Sequence, residues 1–354
     1  MNPDSIKDAL KAVKYPGYSR DIVSFGLVKD ISAENGAVAV VIELTGGSAE
    51  AAQQIKAESE QAIRAVPDVQ HVYVDVKTPQ GSRPAGGAQA ANPQSSGPSP
   101  DRVPGIKQVV AVASGKGGVG KSTVSANLAC ALTKLGAKVG LLDCDIYGPS
   151  IPLMMGVKER PSLSPNEKLL PLENHGVKLM SMGFLLEDDQ PVIWRGPMIM
   201  KTIQQFITSV EWGELDLLLV DLPPGTGDAQ LSLCQTVPLD GGVVVTTPQE
   251  ASLGVVRKGI NMFRKVNVPI LGIVENMSYF TSPQGERLEI FGHGGGKEEA
   301  ARQDTAFLGE VPIFQEIREG GDEGIPVVAK ASDSKAGLAF LEVGKTVQAE
   351  LAKL

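Results

Sequence analysis

The stretch Gly115-Lys116-Gly117-Gly118-Val119-Gly120-Lys121-Ser122-Thr123 constrains this chain more than any other. It follows an apolar run at 108–113 and precedes a segment with Val124, Leu128, Leu132 and Leu135 on one helical face. Glycines at 115, 117, 118 and 120 let the backbone curl until successive N–H groups point inward and cradle phosphate oxygens. The helix that follows adds the positive end of its dipole. The pattern is G-x-x-x-x-G-K-[ST] in its strand–loop–helix setting, the phosphate loop of a nucleotide-binding α/β protein. Lys121 is expected at the β- and γ-phosphates of ATP, and the Ser122 hydroxyl on Mg²⁺.

Two acidic strand ends extend the reading. The aliphatic run 215–220 ends on Asp221, followed by Leu222-Pro223-Pro224-Gly225-Thr226-Gly227-Asp228. That is a Walker B arrangement, with Asp221 helping to hold Mg²⁺ and a shaped loop able to sense the γ-phosphate. A second strand ends in Asp143-Cys144-Asp145. A carboxylate there is expected to orient the attacking water, to help hold the metal, or simply to cap the next helix. Lys116 puts a second cation in the loop, suited to charge building on the γ-phosphate and able to act across a dimer interface. Its bland alternative is a solvated surface lysine.

Apolar strands alternate with amphipathic helices through the rest of this region, the pattern of a parallel sheet covered on both faces. Strands are expected at 108–113, 138–143, 215–221, 242–247 and 270–275, with helices at 123–135 and 252–266. A tail at 334–354 carries Phe340, Val343, Val347 and Leu351 on one face. Residues 78–104 are rich in Pro, Gly, Ser, Ala and Gln without hydrophobic periodicity, and read as a flexible linker. The linker divides the chain into 1–77, a small α+β unit, and 105–354, the nucleotide-binding unit. The small unit reads α-β-β-α-β: a first helix capped by Asp4 or Ser5, a strand at 21–31, a tight turn at Asn35-Gly36, a strand at 37–44, a helix at 48–65 and a strand at 71–77. It shows no catalytic constellation and reads as a docking or adaptor module.

Composition removes several classes. A net charge of −8 argues against a general nucleic-acid binder. No apolar run approaches the roughly 20 residues that span a bilayer, so stable membrane insertion is not expected. The first residues lack the basic and apolar regions of a secretory signal, which makes the cytoplasm the expected location. Cys130, Cys144 and Cys234 form neither a C-x-x-C pair nor a disulfide framework, and read as small buried hydrophobes. His71, His175 and His293 show no zinc-site spacing.

With GKGGVGKST, DCDIYGPS, DLPPGTGD and ENMSYF in this order, the chain resembles the Mrp/ApbC iron–sulfur cluster carrier family, of the deviant Walker A class that includes MinD and ParA. Trp194-Arg195-Gly196-Pro197 and Ile290-Phe291-Gly292-His293-Gly294-Gly295 support it, and residues 21–28 look like the assembly domain often fused ahead of the ATPase. The resemblance implies a homodimer that sandwiches ATP. Lys116 would reach into the partner's site, Asp145 would position water, Asp221 would be the Walker B residue, and Asn276 would contact adenine. It further implies a [4Fe–4S] cluster bridging two subunits and passed to apo iron–sulfur proteins. Such proteins usually place C-P-x-C after Ser-Tyr-Phe, two thiolates per subunit. This chain has Phe280-Thr281-Ser282-Pro283-Gln284-Gly285-Glu286, with Ser282 at the first cysteine position and the second missing. A serine alkoxide is a poor substitute for a soft thiolate. Cys144 and Cys234 are the conceivable alternative ligands. The alternative function is a MinD/ParA-like positioning or regulatory switch without a cluster, which a membrane-binding tail at 334–354 would favour.

Overall fold

The structure is a computed structural model that describes residues 3–15, 21–34, 37–44, 49–67, 69, 71–77, 102–146, 148–185 and 196–354. Backbone contacts fall into two compact units, Met1–Gln94 and Ser95–Leu354. Most of the expected linker, from 78 to 101, lies outside the described residues.

The first unit builds a small sheet, order β1-β2-β3, from β1 (Val28–Glu34), β2 (Ala37–Glu43) and β3 (His71–Lys77). Helices α1 (Pro3–Leu10) and α2 (Ala49–Arg64) complete it. Proline already sits in the first turn of α1, where its missing N–H costs nothing, so Asp4 and Ser5 lie inside the helix rather than capping it. The expected strand at 21–31 begins only at Val28. Before it the Ser24 N–H donates to Asp21 Oδ1 at 2.7 Å, and the chain turns through Gly26 at φ +70°. β1 and β2 run antiparallel, while Asn35-Gly36 between them lies outside the described residues. Ile6, Leu10, Ile42, Ile55 and Ile63 form a core of their own.

The second unit is one large sheet flanked by helices. Its strands are β4 (Ile106–Ser114), β5 (Val139–Asp143), β6 (Leu172–Asn174), β7 (Val177–Ser181), β8 (Leu215–Asp221), β9 (Gly241–Thr246), β10 (Ile270–Thr281), β11 (Arg287–Leu288) and β12 (Phe307–Ile313). They run in the order β11-β10-β9-β4-β8-β5-β7-β6, with β12 also on β10. All pairs are parallel except β6 on β7 and β11 on β10. The central strands are aliphatic runs because both faces are covered: all of Val139–Asp143 and Gly241–Thr246 is buried.

The helices are α3 (Lys121–Lys134), α4 (Ile151–Met154), α5 (Gly196–Thr208), α6 (Asp228–Thr236), α7 (Glu250–Lys265), α8 (Gly295–Arg302), α9 (Gln315–Glu323), α10 (Val327–Lys330) and α11 (Lys335–Leu351). The apolar stripe of α11, including Phe340, Val343 and Val347, is wholly buried against α3 and β12. That face belongs to the core. Among the described residues no helix is long and apolar enough to cross a membrane.

Candidate active site

The C-terminal ends of the neighbouring strands β4, β8 and β5 converge, the place where open parallel sheets bind ligands. β4 ends at Ser114, whose Oγ donates to the Lys116 carbonyl at 3.1 Å and starts the curl of the loop. Gly118 and Gly120 adopt φ +82° and +79°, the left-handed region that glycine enters without penalty. Gly115 is required for another reason: a Cβ there would lie 2.6 Å from the Val255 carbonyl of α7. Val119 is buried, Gly117 is exposed, and Thr123 sits half-buried in the first turn of α3.

Lys121 and Asp221 form the heart of the site. The Lys121 ammonium lies 2.6 Å from Asp221 Oδ2, with the two side chains 6% and 0% exposed. The Ser122 hydroxyl donates to the same oxygen at 2.7 Å, and Ser125 Oγ donates to Asp221 Oδ1 at 2.6 Å. Ser125 was not anticipated, although its i+4 spacing from Lys121 places it on the same helical face. The Ser122 hydroxyl and Asp221 carboxylate are hard oxygen donors side by side, the chemistry that Mg²⁺ selects.

Asp143 pairs in register with Asp221 across β5 and β8. Its carboxyl is fully buried and accepts from the Asp145 N–H at 3.0 Å, the Ser181 hydroxyl at 3.0 Å and the Ile151 N–H at 3.4 Å. Burial, then the adjacent Asp221 charge, push this carboxyl up to about 7. The side chain therefore anchors the start and end of the loop that carries Asp145. Asp145 itself is half-buried, and its Oδ1 accepts from the Gly148 N–H at 3.3 Å. The two carboxylates of Asp-Cys-Asp thus divide, one inward and one towards the loop.

Lys116 stands apart from this network. It is exposed and makes no ion pair with a described carboxylate. Asn276 is 6% exposed, and its Nδ2 donates to the Val119 carbonyl at 2.8 Å. The register of β10 on β12 slips between Asn276 and Phe280, and Met277 takes φ +55°. The kink aims Asn276 at the phosphate loop, where a Cβ on Gly120 would collide with its amide.

The expected cluster position is a hairpin. Ser282 closes it: its N–H donates to the Glu286 carbonyl at 2.8 Å, and its own carbonyl accepts from Gly285 at 2.9 Å. Gly285 takes φ +85°, and Thr281 pairs with Arg287 in the short β11. All three cysteines are buried. Burial pushes the Cys130 and Cys234 thiols up to about 12 and raises Cys144 well above its ordinary value, which disfavours the thiolate at all three. Among the described residues no group of three or more His, Cys, Asp or Glu is arranged to hold a metal ion. The donor set of this chain does not fit a thiolate-held cluster within one protomer. Trp194-Arg195 lies outside the described residues, and Gly196-Pro197 opens α5.

A family profile described as NUBPL iron-transfer P-loop NTPase matches residues 105–348. The chain belongs to that family. A second profile, iron–sulfur cluster assembly protein, matches residues 3–76. The chain is 42% identical over 355 residues to an iron–sulfur cluster carrier protein of Synechocystis, covering 98% of this chain and 97% of that one. It is 49% identical over 252 residues to the iron–sulfur cluster transfer protein NUBPL of Dictyostelium discoideum, covering 70% and 78%. Among solved structures, a nucleotide-binding protein of Archaeoglobus fulgidus in complex with ADP aligns with TM-score 0.56 and 45% identity, over 62% of this chain and 87% of that one. The Pyrococcus furiosus cell-division ATPase MinD aligns with TM-score 0.52 at 23% identity, over 69% and 99%, which shows the shared fold alone. The α/β P-loop fold of this NTPase family is thus seen in both sequence and structure.

Proposed function

We propose that this chain is a slow, dimer-dependent ATPase that serves iron–sulfur cluster transfer to apoproteins in the cytoplasm. The constellation of buried Lys121 and Asp221 with half-buried Ser122 carries the reading, because it joins the phosphate loop to a Walker B carboxylate within one hydrogen-bond network. Ser122 and Asp221 would hold Mg²⁺, which neutralises charge on the β- and γ-phosphates when bound. Lys121 exchanges its Asp221 partner for phosphate oxygens. Asp145 orients the attacking water, and Asp143 holds the loop that presents it. The exposed Lys116 completes the site of a second subunit. Asn276 braces the loop beside the nucleotide and supplies the adenine contact. Catalysis of this kind rests on positioning and charge stabilisation.

Lys116→Ala and Lys121→Ala should each nearly abolish hydrolysis. Mixing Lys116→Ala with Asp145→Ala protomers discriminates the trans role: only a lysine acting across the interface leaves one competent site per mixed dimer. Recovery of activity on mixing is expected; its absence assigns Lys116 to its own subunit.

The cluster is cargo, and its ligands are not found among the cysteines of this chain as folded. Anaerobic reconstitution with iron and sulfide, followed by iron counting and absorption spectroscopy, tests carriage directly. Stoichiometric bound iron supports a carrier. ATPase activity without bound iron leaves a nucleotide-driven scaffold for transfer.

A further inference from the structure

On the far side of the Walker B loop, α6 and α7 enclose a cleft of about 630 Å³ whose chemistry the nucleotide site does not use. Its rim is cationic: Lys258, Arg264 and Lys265 line it together with Asn261. The stripe 258–261–265 lies on one face of α7, which spaces the two lysines about 10 Å apart along the axis. Neither lysine makes an ion pair with a described carboxylate, and Arg264 is held by the neutral Gln303 through bonds of 3.0 and 2.6 Å. Arg257, one residue before Lys258, behaves differently, since it is spent on the buried Glu299. The floor is apolar, with Leu231 and the buried Met262. Three cations that pair with no described carboxylate, set around an apolar floor, stand out in a chain of net charge −8.

The end wall belongs to the switch. Thr226 and Gly227 close the cleft, six residues or fewer from Asp221. Gln230, only 3% exposed, ties this loop together: its Nε2 donates to the Pro223 carbonyl and its Oε1 accepts from the Gly227 N–H, both at 2.7 Å. The Gly225 N–H donates back to Ser114 at the root of the phosphate loop at 3.1 Å. These bonds link the loop after Asp221, the root of the phosphate loop and the cleft wall in one network.

We propose that the α6–α7 cleft docks an acidic segment of a partner protein, one apolar side chain on the floor and carboxylates on Lys258 and Lys265, with an affinity that depends on the bound nucleotide. An extended peptide presents same-face side chains about 7 or about 13 Å apart, a spacing that brackets the two lysines and lies within the reach of their flexible stems. Nucleic acid fits less well, because phosphate backbones call for a longer cationic track and leave the apolar floor unused. A small anion fits less well too, since the three cations are exposed rather than gathered in a buried pocket.

Nucleotide dependence rests on the ATPase reading above; docking alone does not, and the two are separated by measuring with and without nucleotide. The experiment is fluorescence anisotropy on the full chain with a labelled Glu/Leu-rich peptide, in the absence of nucleotide and with ADP or ATP. Lys258→Glu/Lys265→Glu should weaken binding by about tenfold or more while a control carrying Lys345→Glu and Lys353→Glu, a matched pair of charge changes at exposed positions elsewhere, leaves it unchanged. The double variant should also retain basal ATPase activity. Absence of binding by the unaltered chain, equal binding by the double variant, or tighter binding of a single-stranded oligonucleotide than of the peptide would each overturn the docking assignment. Equal affinity in all nucleotide states would overturn the coupling.

Discussion

Asp143 shows how one buried group can be read through its titration. Folding raises its pKa from 3.8 to about 7, so between these values the native chain holds the proton more tightly than the unfolded one. Its contribution to stability is fully present below about pH 4 and is lost as pH rises through about 7. Asp143→Asn should flatten the decline of melting temperature over that window, measured without Mg²⁺ and nucleotide; an unchanged slope would show that the carboxyl stays ionised. The same variant should lower kcat more than it weakens ATP binding, because Asp143 positions the Asp145 loop rather than the phosphates. The strand-end pattern by itself does not distinguish Asp143 from Asp145, and the family resemblance gives a role to Asp145 alone. The register with Asp221 on β8 and the bond from Ser181 on β7 are what give Asp143 its separate place.

At the scale of elements, α7 fits directly over the phosphate loop. Gly115→Ala would set a Cβ against the Val255 backbone, and a displaced helix should cost about 1–3 kcal/mol with a marked loss of ATP affinity. Melting and nucleotide titration measure both; an unperturbed variant would mean that α7 shifts freely. The positions of β4, α3 and β8 were legible from aliphatic runs and helical spacing. The strand expected to end at 275 instead continues to Thr281, because β11 and β12 pair with the part beyond the kink. Likewise the turn at Asp21 displaced the start of β1, a local side-chain bond overriding an apolar run. Neither bond nor pairing partner has a signature at the level of one segment.

For the molecule as a whole, the two hydrophobic cores are separate clusters. A chain lacking residues 1–77 should therefore keep its ATPase rate and melting transition, and lose transfer to clients if the first unit is the docking module. Loss of the ATPase on truncation would show that the units depend on one another. The phosphate loop, the Walker B strand and the family likeness followed from the sequence alone, because a phosphate cradle needs glycines and a lysine at contiguous positions. The absence of the cysteine pair was equally legible. Contiguity stops there. The burial of all three thiols, the division of labour between Asp143 and Asp145, the bracing of the loop by Asn276 and the cationic cleft at α6–α7 each join segments far apart in the chain. Tertiary structure decided them, because burial, register and charge compensation depend on neighbours that the chain supplies only once the sheet is assembled.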